Sequence, residues 1–270
     1  MQSKVRILYV GDIMGEVGLR LIEKELSGLR HKYAISMVIA QSENVTDGRG
    51  CSPADFNRLK KAGVDFCTGG NWSLWQKDLF PILSDPAQPI IRPVNYPDGT
   101  PGLGYKYFDC GFGKLLVISL LGKTVGRDAQ LQLKNPLVII DEVLDSQKSI
   151  DKIGTVVNFH GDYSSEKVVV GQYLNGRVSA VIGDHWHVPT ADARILSAGT
   201  AHITDVGMVG ALNASLGVKT ALIIDRWRNN KVNRNLLEED KPWQFNGLIF
   251  EVDISSGKAL SVEQLNILYD

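Results

Sequence analysis

The chain has 270 residues, 44% of them apolar and 22% charged, and its formal net charge is −1. That length accommodates one large α/β domain or two small ones, and the composition is that of an ordinary globular protein. Near-neutral charge removes the electrostatic drive towards nucleic acid or an anionic membrane as the main partner. The longest apolar run, residues 115–121 interrupted by Ser119, falls far short of the ~18 residues that span a bilayer. The amino terminus runs straight into a predicted strand, with no apolar h-region or cleavage site, so a cytoplasmic protein is expected. Cys51, Cys67 and Cys110 are widely spaced and include no C-x-x-C, which reads as three reduced thiols.

Residues 5–10 form a predicted strand ending at Gly11-Asp12. Residues 18–30 carry Leu19, Ile22, Leu26 and Leu29 at helical spacing. A second strand, 36–40, ends at Gln41-Ser42-Glu43-Asn44, and a Gly-rich loop leads to a helix started by Ser52-Pro53. A third strand, 64–68, ends at Gly69-Gly70-Asn71. This βαβαβ order favours a parallel sheet covered by helices.

Residues 105–121 read as two antiparallel strands around Gly111-Phe112-Gly113, and 135–146 as a helix with Pro136 near its start. A strand at 154–159 ends at His160, a helix covers 164–174, and a strand at 178–182 precedes Asp184-His185-Trp186-His187. Two further strands, 245–252 and 259–268, close the chain around a turn containing Gly257. The basic clusters Arg226-Trp227-Arg228 and 231–234 read as a solvated turn. No repeat or linker divides the chain, so a single domain over 1–270 is expected.

Five predicted strands end in residues that can bind metal: Asp12, then Glu43 and Asn44, then Asn71, then His160, then His185 and His187. Ligands of open α/β sheets gather at the carboxyl ends of strands, and all seven residues are expected at one such edge. Singly, Asp12 also reads as a helix N-cap, Asn71 as a turn residue and His160 as a core histidine. Together, carboxylate, amide and imidazole donors without thiolate suit Mn, Fe or Zn. Seven donors exceed one tetrahedral ion but fit two ions sharing a carboxylate. Two ions ~3.5–4 Å apart can clamp a phosphoryl group, so the pattern points to hydrolysis of a phosphate ester.

Seven motifs occur in order: Gly11-Asp12-Ile13-Met14-Gly15, Ser42-Glu43-Asn44, Gly69-Gly70-Asn71, Arg92-Pro93-Val94-Asn95-Tyr96-Pro97, Asn158-Phe159-His160, Gly183-Asp184-His185-Trp186-His187-Val188 and Ile203-Thr204-Asp205-Val206-Gly207-Met208. With these, essentially the whole chain resembles the YmdB-like branch of the calcineurin-type metallophosphoesterases. The resemblance implies an α/β fold of mixed β-sheets packed as a sandwich flanked by helices. It also implies two divalent or trivalent ions, iron or manganese with zinc as a further option, and a small phosphodiester substrate such as a 2′,3′-cyclic nucleotide. Asp12, Glu43, Asn44 and His187 match the ligands of one ion. Asn71, His160 and His185 match those of the second, with Glu43 as the bridge. The implied nucleophile is a metal-bridging hydroxide. Self-association is a further implication; a stable nucleic-acid partner or membrane is not.

One position departs from the family pattern. Trp72 stands where the family has the histidine thought to protonate the leaving alkoxide, and an indole cannot act as a general acid at neutral pH. General-acid loss typically costs ~10²–10⁴-fold. His202 is a conceivable stand-in, against the plainer reading of a core histidine. The alternative to an enzyme is therefore a metal-binding regulatory protein that has kept its ligands and lost turnover. Trp186, between the two histidines, is expected to pack at the pocket mouth, and His31 to lie on the surface at a helix end. Gly11, Gly15 and Gly18 do not follow G-x-G-x-x-G, and no G-x-S-x-G occurs, which argues against a dinucleotide-binding oxidoreductase and a serine hydrolase.

Overall fold

Strand β1 (Lys4–Val10) turns Val5, Ile7 and Tyr9 to one face and Leu8 and Val10 to the other, and all five are fully buried. Alternation puts apolar side chains on both faces, so both need a covering layer. In the computed structural model, which describes residues 3–125 and 132–270, two sheets supply the inner layer and helices the outer ones. The first sheet runs β2 (Asp12–Ile13), β11 (Met208–Ala211), β12 (Trp243–Asp253), β1, β3 (Met37–Gln41), β4 (Phe66–Thr68), with β13 (Ala259–Tyr269) paired to β12. The second runs β5 (Tyr105–Asp109), β6 (Lys114–Leu121), β7 (Gly154–His160), β8 (Ala180–Asp184), β10 (Ala201–Ile203), β9 (Arg194–Ile195). Both are mixed: β1, β3 and β4 are parallel, as are β6, β7, β8 and β10, whereas β5–β6 and β12–β13 are antiparallel.

Ile7, Ile39 and Phe250 of the first sheet meet Val117, Val156 and Ile182 of the second in one buried cluster. On the outer face of the first sheet, α1 (Gly15–Lys32) and α2 (Pro53–Ala62) set Leu19, Ile22, Leu26 and Phe56 against Leu8 and Val38. On the outer face of the second, α4 (Pro136–Ser146) and α5 (Ser164–Tyr173) set Ile140 and Val170 against Leu116 and Val157. Each such side chain contributes about 1.5–3 kcal/mol through burial. The short α3 (Phe80–Ser84) follows β4, and α6 (Thr220–Asn229) contains no buried residue.

The predicted sandwich of mixed sheets flanked by helices is what the chain forms. Ser52 caps α2 by accepting from the Asp55 amide at 3.1 Å, with Pro53 in the first turn, as its sequence predicts. Three expectations need correction. The strands bearing the candidate ligands belong to two sheets, not one, because hydrophobic pattern reports a strand's faces and not its sheet. Arg226-Trp227-Arg228 lies in the last turn of α6 rather than in a turn between elements, with Trp227 and Arg228 exposed. Strands β9 to β11 were not legible, since two to four residues are too few to show a period. The three cysteines are unpaired, and no described helix is long and apolar enough to cross a membrane.

Candidate metal centre

The carboxyl ends of both sheets open on the same side of the sandwich, tied together by Asp184 at the end of β8. Its Oδ2 accepts from Tyr9 Oη of β1 at 2.8 Å, from Gln41 Nε2 of β3 at 3.0 Å and from Asn158 Nδ2 of β7 at 2.6 Å. Asp12 pairs within β2 to Met208, and α1 takes Met14 as N-cap, so the Asp12 carboxyl caps no helix. Glu43 and Asn44 follow β3 directly, and both are buried. Asn71 follows β4 through two glycines. A Cβ on Gly70 would lie 2.4 Å from both Glu43 Oε2 and the His160 ring, so only glycine lets this turn reach the centre.

His185 and His187 both have positive φ, 100° and 62°, a conformation costly for residues with a Cβ. Buried contacts hold their loop in place. Asp12 Oδ2 accepts from the His185 amide at 3.1 Å, and Asp205 Oδ2 accepts from the Trp186 amide at 2.9 Å. Lys167, fully buried on α5, donates to Asp205 Oδ2 at 2.5 Å and to the Asp184 carbonyl at 2.7 Å, and sits 4.1 Å from the Trp186 ring centroid.

His160 lies at the middle of the cluster. Its Nε2 is 3.0 Å from Asn71 Oδ1 and 3.0 Å from Glu43 Oε1, and its ring is 4.4 Å from that of His185. Donor atoms of Glu43, His160 and His185 fall within 4.8 Å of one another, a grouping able to hold a metal ion. His187 Nε2 is 3.8 Å from Asp12 Oδ1. Asn44 gives its Nδ2 to the Gly48 carbonyl at 3.0 Å. Among the described residues at this centre, Asp12 Oδ1, Asn44 Oδ1 and His187 Nδ1 are buried without a hydrogen-bond partner, while Glu43 Oε1 faces the His160 imidazole at 3.0 Å. Each such atom costs about 1–3 kcal/mol unless something else satisfies it. Three of them among the seven candidate donors fit cations.

The electrostatics agree with that fit. Burial, reinforced by Asp184, pushes the Asp12 carboxyl well above the usual carboxylate range. Burial alone would lower His160, but the carboxylates of Glu43 and Asp184 outweigh it and the imidazole is raised well above its ordinary value. Burial, with His185 adding to it, pulls His187 down to about 4 and leaves it neutral, a free base ready to bind metal. Asp184 is buried, which opposes ionisation, yet the adjoining His160 keeps it below its ordinary range.

Asp184, Asp205, Lys167 and Asp162 were not predicted as site residues. Asp184 Oδ1 lies 2.7 Å from His160 Nδ1, and Asp162 Oδ1 lies 2.8 Å from His185 Nε2. A carboxylate beside His-x-His is a recognisable orienting partner for a ligand histidine, so Asp184 was open to detection. Lys167 was not, because a lysine on a helix reads as solvated. His202 is placed elsewhere: its buried ring packs beneath Gly171 of α5, and its Nδ1 is bonded to the Val181 carbonyl at 3.0 Å. That is the core histidine of the plainer reading, outside the cluster. His31 is exposed. Trp186 gives its Nε1 to the Asp162 carbonyl at 2.8 Å and packs over Lys167. Trp72 lies at the rim, its amide donating to Glu43 Oε2 at 2.9 Å.

A family model for YmdB-like proteins matches residues 8–265. A Bacillus subtilis (strain 168) protein named 2′,3′-cyclic-nucleotide 2′-phosphodiesterase is 35% identical over 264 residues, covering 97% of each chain. A solved Mycoplasma pneumoniae structure described as a novel phosphatase superposes with a TM-score of 0.92 at 30% identity, covering 100% of this chain and 95% of that one. A Thermus thermophilus structure does so with a TM-score of 0.88 at 30% identity, covering 98% and 100%. By sequence over nearly its full length and by fold, this chain belongs to the YmdB-like protein family.

Proposed function

We propose that this chain is a phosphoric-ester hydrolase, a phosphodiesterase working on a dinuclear metal centre, with a 2′,3′-cyclic nucleotide as a candidate substrate. The observation that carries this reading is the set of buried, partnerless atoms on Asp12, Asn44 and His187 beside the Glu43–His160–His185 cluster. Asp12, Glu43, Asn44 and His187 would hold one ion; Asn71, His160 and His185 would hold the second, with Glu43 common to both. Iron or manganese suits these donors, and zinc also fits them. Such ions neutralise phosphoryl oxygens and make water nucleophilic near neutral pH. Donors come from both sheets, which supports treating residues 1–270 as one catalytic domain.

The protein's own part is positioning. Asp184 fixes the tautomer and orientation of His160, and the Trp72 amide steadies the carboxylate of Glu43. Lys167 and Asp205 hold the loop that presents His185 and His187. Gly70 keeps the centre open on the side where a Cβ would collide with Glu43 and His160.

The test is turnover of bis-p-nitrophenyl phosphate and 2′,3′-cyclic AMP by the manganese-loaded protein, paired with elemental analysis. Hydrolysis of either, with two ions per chain, is the expected result. The indole of Trp72 at the rim favours a second reading, a regulatory protein that binds metal with little or no turnover. Two bound ions without hydrolysis of either ester would favour it, and no bound metal would sink both.

A further inference from the structure

Next to the metal centre is a cavity of about 430 Å³ lined on one part by Met14, Gly48 and Leu237, on another by Arg49 and Trp75, and also by the carboxylates of Glu16, Asp47, Glu238 and Glu239. The two sites adjoin through Asn44. Asn44 directs its Nδ2 to the carbonyl of Gly48 in the cavity lining, while its Oδ1 is one of the partnerless atoms of the metal centre. Met14 lies two residues beyond Asp12. Gly48, at φ +77°, leaves room that a Cβ would lose against Met14 and Leu237, at 3.1 and 3.2 Å.

The wall is built from flat surfaces. Trp75 in the lining meets Trp72, which lies outside it, edge to face with centroids 5.2 Å apart, and the Arg49 guanidinium lies 5.5 Å from the Trp75 ring and 4.9 Å from that of Trp72. Trp72 is in turn bonded through its amide to Glu43 of the metal centre. Trp75 remains 43% exposed, so it does not serve as core packing. Exposed indole and guanidinium planes are the surfaces on which nucleic-acid bases stack, and the side chains of Asp47 and Gln76 in the same wall can hydrogen-bond a base edge. The volume is on the scale of small-ligand pockets.

We propose that this cavity is a subsite for the base of a nucleotide substrate, with Trp75 and Arg49 as its specificity-determining residues. The inference rests on the phosphodiesterase reading, since it is the ester held at the metal centre that delivers the base to this wall.

The experiment compares 2′,3′-cyclic AMP with its baseless analogue, the 2′,3′-cyclic phosphate of methyl riboside, on the manganese-loaded full chain. The quantity read is the ratio of the two kcat/KM values. Trp75→Ala is expected to lower that ratio about ten- to a hundred-fold, the usual scale of one base stack, mainly through KM. Arg49→Met is expected to lower it in the same direction. An unchanged ratio in both variants overturns the subsite. If the native chain hydrolyses neither ester, the phosphodiesterase reading fails separately, and calorimetric titration with adenosine decides the subsite. Binding weakened at least tenfold by Trp75→Ala supports it, whereas equal binding or none overturns it.

Discussion

Asp184 Oδ1 sits 2.7 Å from His160 Nδ1, both groups fully buried, while the second oxygen of Asp184 accepts from Tyr9, Gln41 and Asn158. One carboxylate therefore fixes the orientation of His160, a proposed metal ligand, and joins the two sheets where their strands end. Asp184→Asn keeps the shape but sets an amide donor among donors. Loss of such an orienting partner costs about 10–100-fold in metal affinity. Calorimetric titration with manganese should show a loss of that size, and unchanged affinity would remove Asp184 from the site.

The raised values of Asp12 and His160 fix the sign of a pH dependence. Both groups hold their protons to higher pH in the metal-free protein than they would in water. Metal binding at the proposed site would need those protons gone, so affinity should fall as pH falls through these titrations. His187, lowered to about 4, adds nothing until well into the acid range. Calorimetry at pH 6.5 in two buffers of different ionisation enthalpy should therefore report proton release on manganese binding. Zero release would show that neither Asp12 nor His160 holds a proton in the metal-free protein at that pH.

The ligand-bearing strand ends were legible because β1, β3, β4, β7 and β8 are apolar runs, each closed by a polar residue at a sharp change of pattern. The sandwich was legible only through resemblance, since Val5 and Leu8 announce two buried faces without saying what lies against each. Short strands such as β10 carry too few residues for a period, yet their pairing with β8 builds the wall behind the histidine loop. Lys167 was hidden for another reason. Its meaning depends on Asp205, 38 residues away in sequence and paired with it only in the fold.

That pair is a stability determinant as well as a support. Lys167 and Asp205 are both fully buried and 2.5 Å apart. Removing one partner of a buried pair leaves the other charge uncompensated, at about 3–5 kcal/mol. Lys167→Met should lower the urea midpoint by a corresponding amount, and adding Asp205→Asn should recover part of the loss. If the single variant unfolds at the native midpoint, the pair does not hold the loop.

Trp72 supplies the most direct measure of what this chain does at its centre. Its amide already serves Glu43, and a histidine at this position keeps that backbone donor. The side chain offers one N–H donor and no titratable group, so it cannot hand a proton to a departing alkoxide. Trp72→His restores a group able to do so, at the expense of the Arg49 stack. An ester with a poor leaving group, such as 2′,3′-cyclic AMP, needs that proton; bis-p-nitrophenyl phosphate, whose leaving group departs as a stable anion, does not. The variant should raise kcat for the cyclic ester by about 10²-fold or more while gaining far less with the nitrophenyl ester. Equal gains for both would place the benefit in phosphate binding rather than proton transfer. No gain for either would mean that the indole is not what limits this centre.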